Sequence, residues 1–370
     1  MDFELSEEQR LLVDSVRRFL EKDYAFIARK AIVASPEGHS PAAWSALAEL
    51  GLLAMPLPEA HGGFASPALD LMPVMEAMGE ALAVEPYVST LMGARAIERG
   101  GPDDLRAEVL PKVAEGALKL AVACLEEGGR FDPAHVATTA TPDGEGFVLE
   151  GAKTAVLHAP MADRLLVSAR TPGGISLFVV DAKSQGVAMH AWRALDGHVG
   201  ADVRLQGVRV PAEALVGKLG EGLEILDDAL DYGAALSCAE AVGAMASASD
   251  ATLDYLKTRK QFGVAIGSFQ ALQHRMVDLV IEVEQARSMA SLACAAVGGG
   301  KSPAERRRIV SMAKVRVGDA CRKVSQESVQ LHGGMGMTEE LKVSHTFRRL
   351  TTLARLFGDV DHHLARLAAE

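Results

Sequence analysis

The strongest constraint in this sequence is a long stretch with no proline. None occurs from Glu221 to Arg259, so nothing there removes a helical hydrogen bond or forces a kink. A second stretch, Ser268–Ala296, also reads as one long helix. A third helix starts at Ser302-Pro303-Ala304-Glu305, with Ser at the N-cap and Pro at the first helical position, and stops at Gly333-Gly334. Another covers Leu341–Arg355, and a shorter one follows Asp359. Helices this long, apolar on one side, bury that side against one another. An antiparallel bundle is predicted over residues 221–370.

The first 118 residues also read as helices. Ser6-Glu7-Glu8-Gln9 is a capping box, followed by Leu12, Val16, Phe19 and Leu20 at helical spacing. Further helices are predicted over Trp44–Leu53, Leu69–Ala83, Thr90–Arg99 and Asp104–Glu115. Pro58-Glu59-Ala60-His61-Gly62-Gly63 has turn chemistry. Between the helical ends, residues 119–220 change character. Short β-rich runs are separated by Pro142-Asp143-Gly144-Glu145-Gly146, Thr171-Pro172-Gly173-Gly174 and Gln206-Gly207. No helix fits between them, so a small antiparallel sheet is predicted rather than βαβ units. The class is α+β, in three domains: 1–118 helical, 119–220 β and 221–370 a four-helix-bundle type.

Composition excludes several functions. Apolar residues make up 49% and charged residues 24%, a globular balance. The formal charge is −11, with no basic stripe for nucleic acid. Arg306-Arg307-Arg308 reads as a solvated helix face. Cys124, Cys238, Cys294 and Cys321 lack zinc spacing and read as buried thiols of a reducing compartment, so no metal is expected. The acidic start lacks a signal-peptide core, and no apolar run reaches about 18 residues. A cytoplasmic protein without a membrane span is expected.

No Rossmann, Walker, HExxH or GxSxG motif is present. Four other segments are more telling. They are Glu49-Leu50-Gly51-Leu52-Leu53 with Pro58–Gly63, then Leu149-Glu150-Gly151-Ala152-Lys153-Thr154. Next comes Arg259-Lys260-Gln261-Phe262-Gly263 with Phe269-Gln270-Ala271-Leu272-Gln273, and last Gln330-Leu331-His332-Gly333-Gly334. In this order, on an α–β–α plan, the chain resembles the acyl-CoA dehydrogenase superfamily over essentially its whole length. The resemblance implies FAD as cofactor and an acyl-CoA substrate, dehydrogenated between Cα and Cβ with hydride transfer to flavin N5. It also implies an oligomer, dimeric or tetrameric, and electron transfer flavoprotein as acceptor.

By that resemblance Arg259, Gln261, Phe262, Phe269, Gln270, Gln330, Gly333 and Gly334 are the cofactor-binding residues. Their chemistry suits the task. Arg259 offers a fork to pyrophosphate oxygens, and Gln261 offers a neutral hydrogen bond. Phe262 can cover an adenine or ribose face. Gly333 and Gly334 let backbone N–H groups approach a phosphate. Taken alone, Arg259 also reads as a helix C-terminal arginine, and Gly333-Gly334 as a plain helix stop.

The chain also departs from the family pattern. Leu125 opens the run Leu125-Glu126-Glu127-Gly128-Gly129-Arg130-Phe131-Asp132, where a flavin-bonding threonine is usual. Leu157 ends Ala155-Val156-Leu157, where another threonine is usual. Phe357 stands where the catalytic Glu of one branch falls, and Gly233 where that of another falls. Glu240 lies among Cys238, Ala239, Ala241 and Val242, two turns beyond Gly233, and Asp359 lies two residues beyond Phe357. Both are candidate bases. Glu240 also reads as a buried acid paired with an arginine, and Asp359 as a helix N-cap. With Lys342-Val343-Ser344-His345 and Phe347-Arg348-Arg349, the ending resembles small subunits of heteromeric acyl-CoA dehydrogenases, such as the pimeloyl-CoA dehydrogenase small subunit. That likeness implies a large-subunit partner supplying the base and the intact flavin loop. A homo-oligomer using Glu240 and a flavin-free interface subunit remain as alternatives.

Overall fold

The computed structural model describes residues 6–369. Six helices come first: α1 (Glu7–Asp23), α2 (Phe26–Ala34), α3 (Pro41–Glu49), α4 (Ala68–Ala81), α5 (Tyr87–Gly100) and α6 (Asp103–Ala114). Eight strands follow: β1 (Leu120–Ala123), β2 (Thr139–Asp143), β3 (Gly146–Leu157), β4 (Arg164–Thr171), β5 (Gly174–Asp181), β6 (Val187–Arg193), β7 (Val199–Pro211) and β8 (Leu215–Val216). Helix α7 (Gly222–Thr258) leads into a hairpin of β9 (Lys260–Gln261) and β10 (Val264–Ala265). Helices α8 (Gln270–Val297), α9 (Pro303–His332), α10 (Lys342–Leu353) and α11 (Val360–Ala368) complete the chain.

The caps act as their chemistry predicts. Ser6 Oγ accepts from the Gln9 N–H while Gln9 Oε1 accepts from the Ser6 N–H. Ser302 and Glu305 repeat the device at α9. The helix expected over 44–53 starts earlier, because Ser40 caps it and Pro41 fits its first position. Helix α2 has no counterpart among the sequence predictions.

By compactness the chain divides into two units. A helical unit holds the chain up to Ala31, Pro67–Ala83, and everything from Ala234 on. A sheet unit holds Ile32–Ser66 and Val84–Gly233. The sheet runs β6-β7-β3-β2-β4-β5-β8, with β1 also on β4. It is mixed, not purely antiparallel: β1 pairs parallel with β4, Leu120 opposite Arg164. The long excursion between these two strands gives the chain room for a parallel return. Gln206-Gly207, expected to separate two strands, instead forms a bulge inside β7. The register jumps from Leu149↔Val208 to Gly151↔Leu205, and Gly207 N–H donates to Glu150 Oε2 at 2.7 Å. Val156, Leu165, Phe178, Ala201 and Val203 form one core of this unit. Ile97, Val109, Leu110, Leu166, Leu177 and Leu226 form the other.

In the helical unit, α4 crosses α7 with backbones nearly touching. A Cβ on Gly79 would lie 2.0 Å from the Glu240 carbonyl oxygen, and one on Gly243 would lie 1.9 Å from that of Glu76. Only glycine permits that crossing, and it holds Glu240 deep in the unit. Buried Arg29 closes the end of α4, its Nε donating to Leu82 O at 2.7 Å. All four cysteines are buried. Burial pushes the Cys124 and Cys238 thiols up to about 11 and Cys321 up to about 12, which keeps them protonated and inert. Among the described residues, no group of His, Cys, Asp and Glu could hold a metal ion, and no helix is long and apolar enough to cross a membrane.

Candidate active site

The segment after α7 is a β-hairpin. Arg259 N–H still donates to Tyr255 O at 2.8 Å, and Val264 pairs with Gln261 across the turn. The two turn residues, Phe262 and Gly263, have φ of 53° and 84°, the left-handed pair of a tight hairpin. A phenylalanine in that region stores about 1 kcal/mol or more of strain. Phe262 is 92% exposed, so no packing within the chain compensates. Arg259, Gln261 and Gln270 are also exposed, and among the described residues no carboxylate pairs with Arg259. Gln261 Nε2 donates to Lys260 O at 2.7 Å. Phe269 caps α8 and meets Phe262 edge to face, centroids 6.3 Å apart.

The end of α9 lies beside this hairpin. His332 is buried, stacks on Tyr255 at 4.5 Å and hydrogen-bonds to Ser328 O at 2.8 Å. Tyr255 is one turn before Arg259, and His332 directly precedes Gly333. The stack therefore brings two of the sequence motifs to one end of the helical unit. Gly333 adopts φ 60°, ψ −143°, a conformation essentially reserved for glycine. Yet a Cβ on Gly333 or Gly334 would meet nothing within 4 Å. The backbone path requires glycine at 333, and both glycines leave open space around it. Gln330 is exposed on the last turn of α9.

The candidate bases stand in a different setting. Glu240 carries two expectations, a base in an apolar setting and a buried acid paired with an arginine. It is buried at 4% exposure, but Arg349 grips it with Nε–Oε1 at 2.6 Å and Nη2–Oε2 at 2.7 Å. Both oxygens are occupied by the two prongs of the guanidinium, a bidentate pair. Asp359 caps α11, its Oδ1 accepting from His362 N–H at 2.9 Å. The loop before it is pinned throughout. Lys314 Nζ donates to Leu353 O at 3.0 Å and Leu356 O at 2.6 Å, closing the α10 C-terminus. His363, fully buried, lies 3.0 Å from Phe357 O through Nε2 and 3.2 Å from Ser311 Oγ through Nδ1. The carbonyl can only accept, so Nε2 carries the proton. Burial first, then Lys314, pushes the His363 pKa down to about 3, and the ring stays neutral. Phe357 has φ 60° and Gly358 φ 111°. Neither position where the resemblance places a base carries a carboxylate: 357 is phenylalanine, and 233 is a glycine packed closely on Met92. A Cβ there would lie 2.3 Å from Met92 Sδ.

In the sheet unit, Leu125 packs against the apolar core, and its carbonyl accepts from Thr154 N–H at 2.8 Å. The next residue turns inward. Buried Glu126 accepts from Lys153 Nζ at 2.6 Å and from the N–H groups of Ala137 at 2.6 Å and Thr138 at 3.0 Å. Lys153 is 0% exposed and also donates to Ser168 Oγ at 3.0 Å. Burial alone would raise the Glu126 pKa, but Lys153 and the two amides outweigh it and hold it low. Within Leu125–Asp132, Glu126 thus turns its charge into the protein, while Glu127, Arg130 and Asp132 are exposed. Sequence reasoning missed these long-range partners: Arg349, Lys314, His363 and the Glu126–Lys153 pair. A basic residue near the C-terminus was the sole signal for Arg349.

Comparison with known proteins agrees in all three parts. The chain matches the family descriptions "Acyl-CoA dehydrogenase, N-terminal domain" over residues 6–117, "middle domain" over 121–208 and "C-terminal domain" over 220–370. The caffeyl-CoA reductase-Etf complex subunit CarC of Acetobacterium woodii is 28% identical over 357 residues, covering 93% of this chain and 92% of the relative. The solved Tcur3481-Tcur3483 steroid ACAD variant is 30% identical with TM-score 0.90, covering 98% and 97%. The ChsE4-ChsE5 complex of Mycobacterium tuberculosis is 27% identical with TM-score 0.91, covering 100% and 98%. The chain thus belongs to the acyl-CoA dehydrogenase family of FAD-dependent oxidoreductases, which act on CH–CH bonds.

Proposed function

We propose that this chain is the FAD-gripping, base-deficient subunit of a heteromeric acyl-CoA dehydrogenase. One observation carries the reading. Both family positions for a base lack a carboxylate, and the two nearby substitutes are engaged structurally, Glu240 by Arg349 and Asp359 by the α11 N-terminus. Removing a proton α to a thioester needs a carboxylate free to take it. A partner chain supplies that group and the polar contacts to the flavin ring that Leu125 and Leu157 lack.

The hairpin and the glycine loop suit the phosphate end of FAD. Arg259 is exposed without a carboxylate partner, Phe262 projects into solvent, and the space around Gly333-Gly334 is open. Arg259 would hold pyrophosphate oxygens with its fork. Phe262 and Phe269 would cover the adenosine, Gln261, Gln270 and Gln330 would bond its polar edges, and the Gly333 and Gly334 amides would face a phosphate. Bound FAD supplies the hydride acceptor at N5. Phe357 keeps the loop 356–359 apolar where a base would stand. The further exposed apolar residues Val277, Val280 and Ile281 on α8 suit burial against a partner.

The names of two similar structures, Tcur3481-Tcur3483 and ChsE4-ChsE5, each pair two polypeptides, which supports the heteromer. The steroid ACAD name supports a ring-bearing acyl-CoA as substrate. The Etf complex named for CarC supports electron transfer flavoprotein as acceptor. Absorbance and turnover test the reading. The chain purified alone should hold less than stoichiometric FAD and not oxidise an acyl-CoA with a chemical acceptor. Co-purification with a large acyl-CoA dehydrogenase subunit should restore both. A chain that alone holds one FAD per protomer and turns over overturns it.

A further inference from the structure

We propose that Lys342 is a site of covalent Nε-acylation by acyl-CoA thioesters. Its amine lines a cavity of about 330 Å³ within the helical unit, at the lower end of the ~300–1,000 Å³ typical of small-molecule sites. Arg17 and Glu80 pair at 3.1 Å across it, Phe26 forms part of the apolar wall, and Asp250 lies on the lining. Lys342 itself has one hydrogen bond, to Ser247 Oγ at 3.2 Å. Among the described residues, no carboxylate lies within ion-pair distance of it.

Three features disfavour the ammonium form here. The side chain is substantially buried. It is the first residue of α10, where the helix dipole is positive. Arg29 adds like charge. Burial is the main cause that lowers the Lys342 pKa, Glu80 opposing it and Arg29 adding to it. Two other lysines are lowered in the same way, Lys153 and Lys314. Their amines are locked, one against Glu126 and Ser168 and the other against two carbonyls. Lys342 combines a destabilised charge with an open cavity and a single hydrogen bond, to Ser247 Oγ.

The chemistry balances without an added oxidant or reductant. The neutral amine attacks the thioester carbonyl, a C–N bond forms, the C–S bond breaks, and the CoA thiolate leaves. The proton released from nitrogen passes to the thiolate or to water. The product is an amide with no charge at the start of α10. The inference rests on the dehydrogenase reading in one respect, that acyl-CoA thioesters reach this protein.

The test is an initial-rate comparison on the full chain. Incubate it with acetyl-CoA near neutral pH and follow acetylation of each lysine-containing peptide by mass spectrometry. A parallel arm uses a trace of acetic anhydride. Acetyl-CoA has no Cβ to dehydrogenate, so this readout is independent of flavin and turnover. Lys342 should acetylate several-fold faster than exposed Lys218, Lys257 and Lys260 in both arms. Equal or slower modification with acetyl-CoA overturns the proposal, including the case where anhydride alone favours Lys342. If Lys342 leads while the complex neither holds FAD nor oxidises acyl-CoA, the dehydrogenase reading falls and the acylation site stands.

Discussion

Two loops of the helical unit invert each other. In the hairpin at 259–263 the polar and aromatic side chains point outward, and strained Phe262 has only the edge of Phe269, itself exposed, beside it. In the loop at 356–359, Lys314, His363 and the Asp359 cap engage the backbone from inside. Strain persists where surroundings over-determine it. The second loop supplies its own surroundings, whereas under the proposed function the first takes them from a cofactor and a partner. The difference separates residues kept for what they touch within the chain from residues kept for what they touch outside it. Glu240, a candidate base that also read as a buried acid paired with an arginine, belongs with Arg349 on the inward side.

The largest test of that division is Arg349→Leu. It strands Glu240 as a buried unpaired charge, which costs about 3–5 kcal/mol. Urea unfolding at neutral pH should show a loss of that size, and Glu240→Leu combined with Arg349→Leu should recover most of it. A loss under about 1 kcal/mol would return Glu240 to the outward group and reopen its candidacy as base. Next comes Gly358→Ala. A Cβ there lies 2.5 Å from His362 Cδ2 at a φ of 111°, so about 1–3 kcal/mol of stability should be lost. A neutral result in the same unfolding assay would mean that the loop is not pinned.

Much of this division was legible in the sequence, because it rests on local chemistry. Missing prolines and the Ser302 N-cap with Pro303 after it marked the long helices. Turn residues marked the β2–β3 and β4–β5 hairpins but not the one at 260–265, and four motifs in order marked the family. What was not legible is long-range. Glu240 and Arg349 are 109 residues apart, and nothing in one sequence says which buried acid meets which arginine. The parallel β1–β4 pairing and the inward turn of Glu126 toward Lys153 depend likewise on partners far along the chain. Gln206-Gly207 shows the same limit locally. A polar-glycine pair reads as a turn or a bulge, and only the strand opposite decides.

The pinned loop also carries a pH signature. His363 is neutral in the folded protein down to about pH 3, whereas an unfolded histidine titrates near 6.5. Above 6.5 both states are neutral and the residue contributes no pH dependence. As pH falls below 6.5 the unfolded chain binds a proton that the folded chain refuses. Stability therefore falls at up to ~1.4 kcal/mol per pH unit until about pH 3. His363→Asn should flatten the slope of unfolding free energy between pH 6 and 4 by a good part of that amount, whatever its effect at pH 7. An unchanged slope would show that His363 titrates freely and that the loop opens to solvent.

The smallest stability effect should come from the hairpin, and its smallness is the point. Arg259→Ala removes no partner within the chain, so unfolding free energy should shift by no more than ~0.5 kcal/mol. In the heteromer the same change removes a charge-assisted hydrogen bond worth about 1.5–3 kcal/mol. FAD affinity, read by equilibrium dialysis of the complex, should then fall about 10- to 100-fold. Phe262→Ser should separate in the same way, with stability unchanged or slightly raised by loss of an exposed strained ring and FAD retention reduced. The opposite pattern, a destabilised chain with unchanged FAD affinity, would move the hairpin to the inward group. It would also leave the glycine loop at 333–334 as the chain's remaining claim on the cofactor.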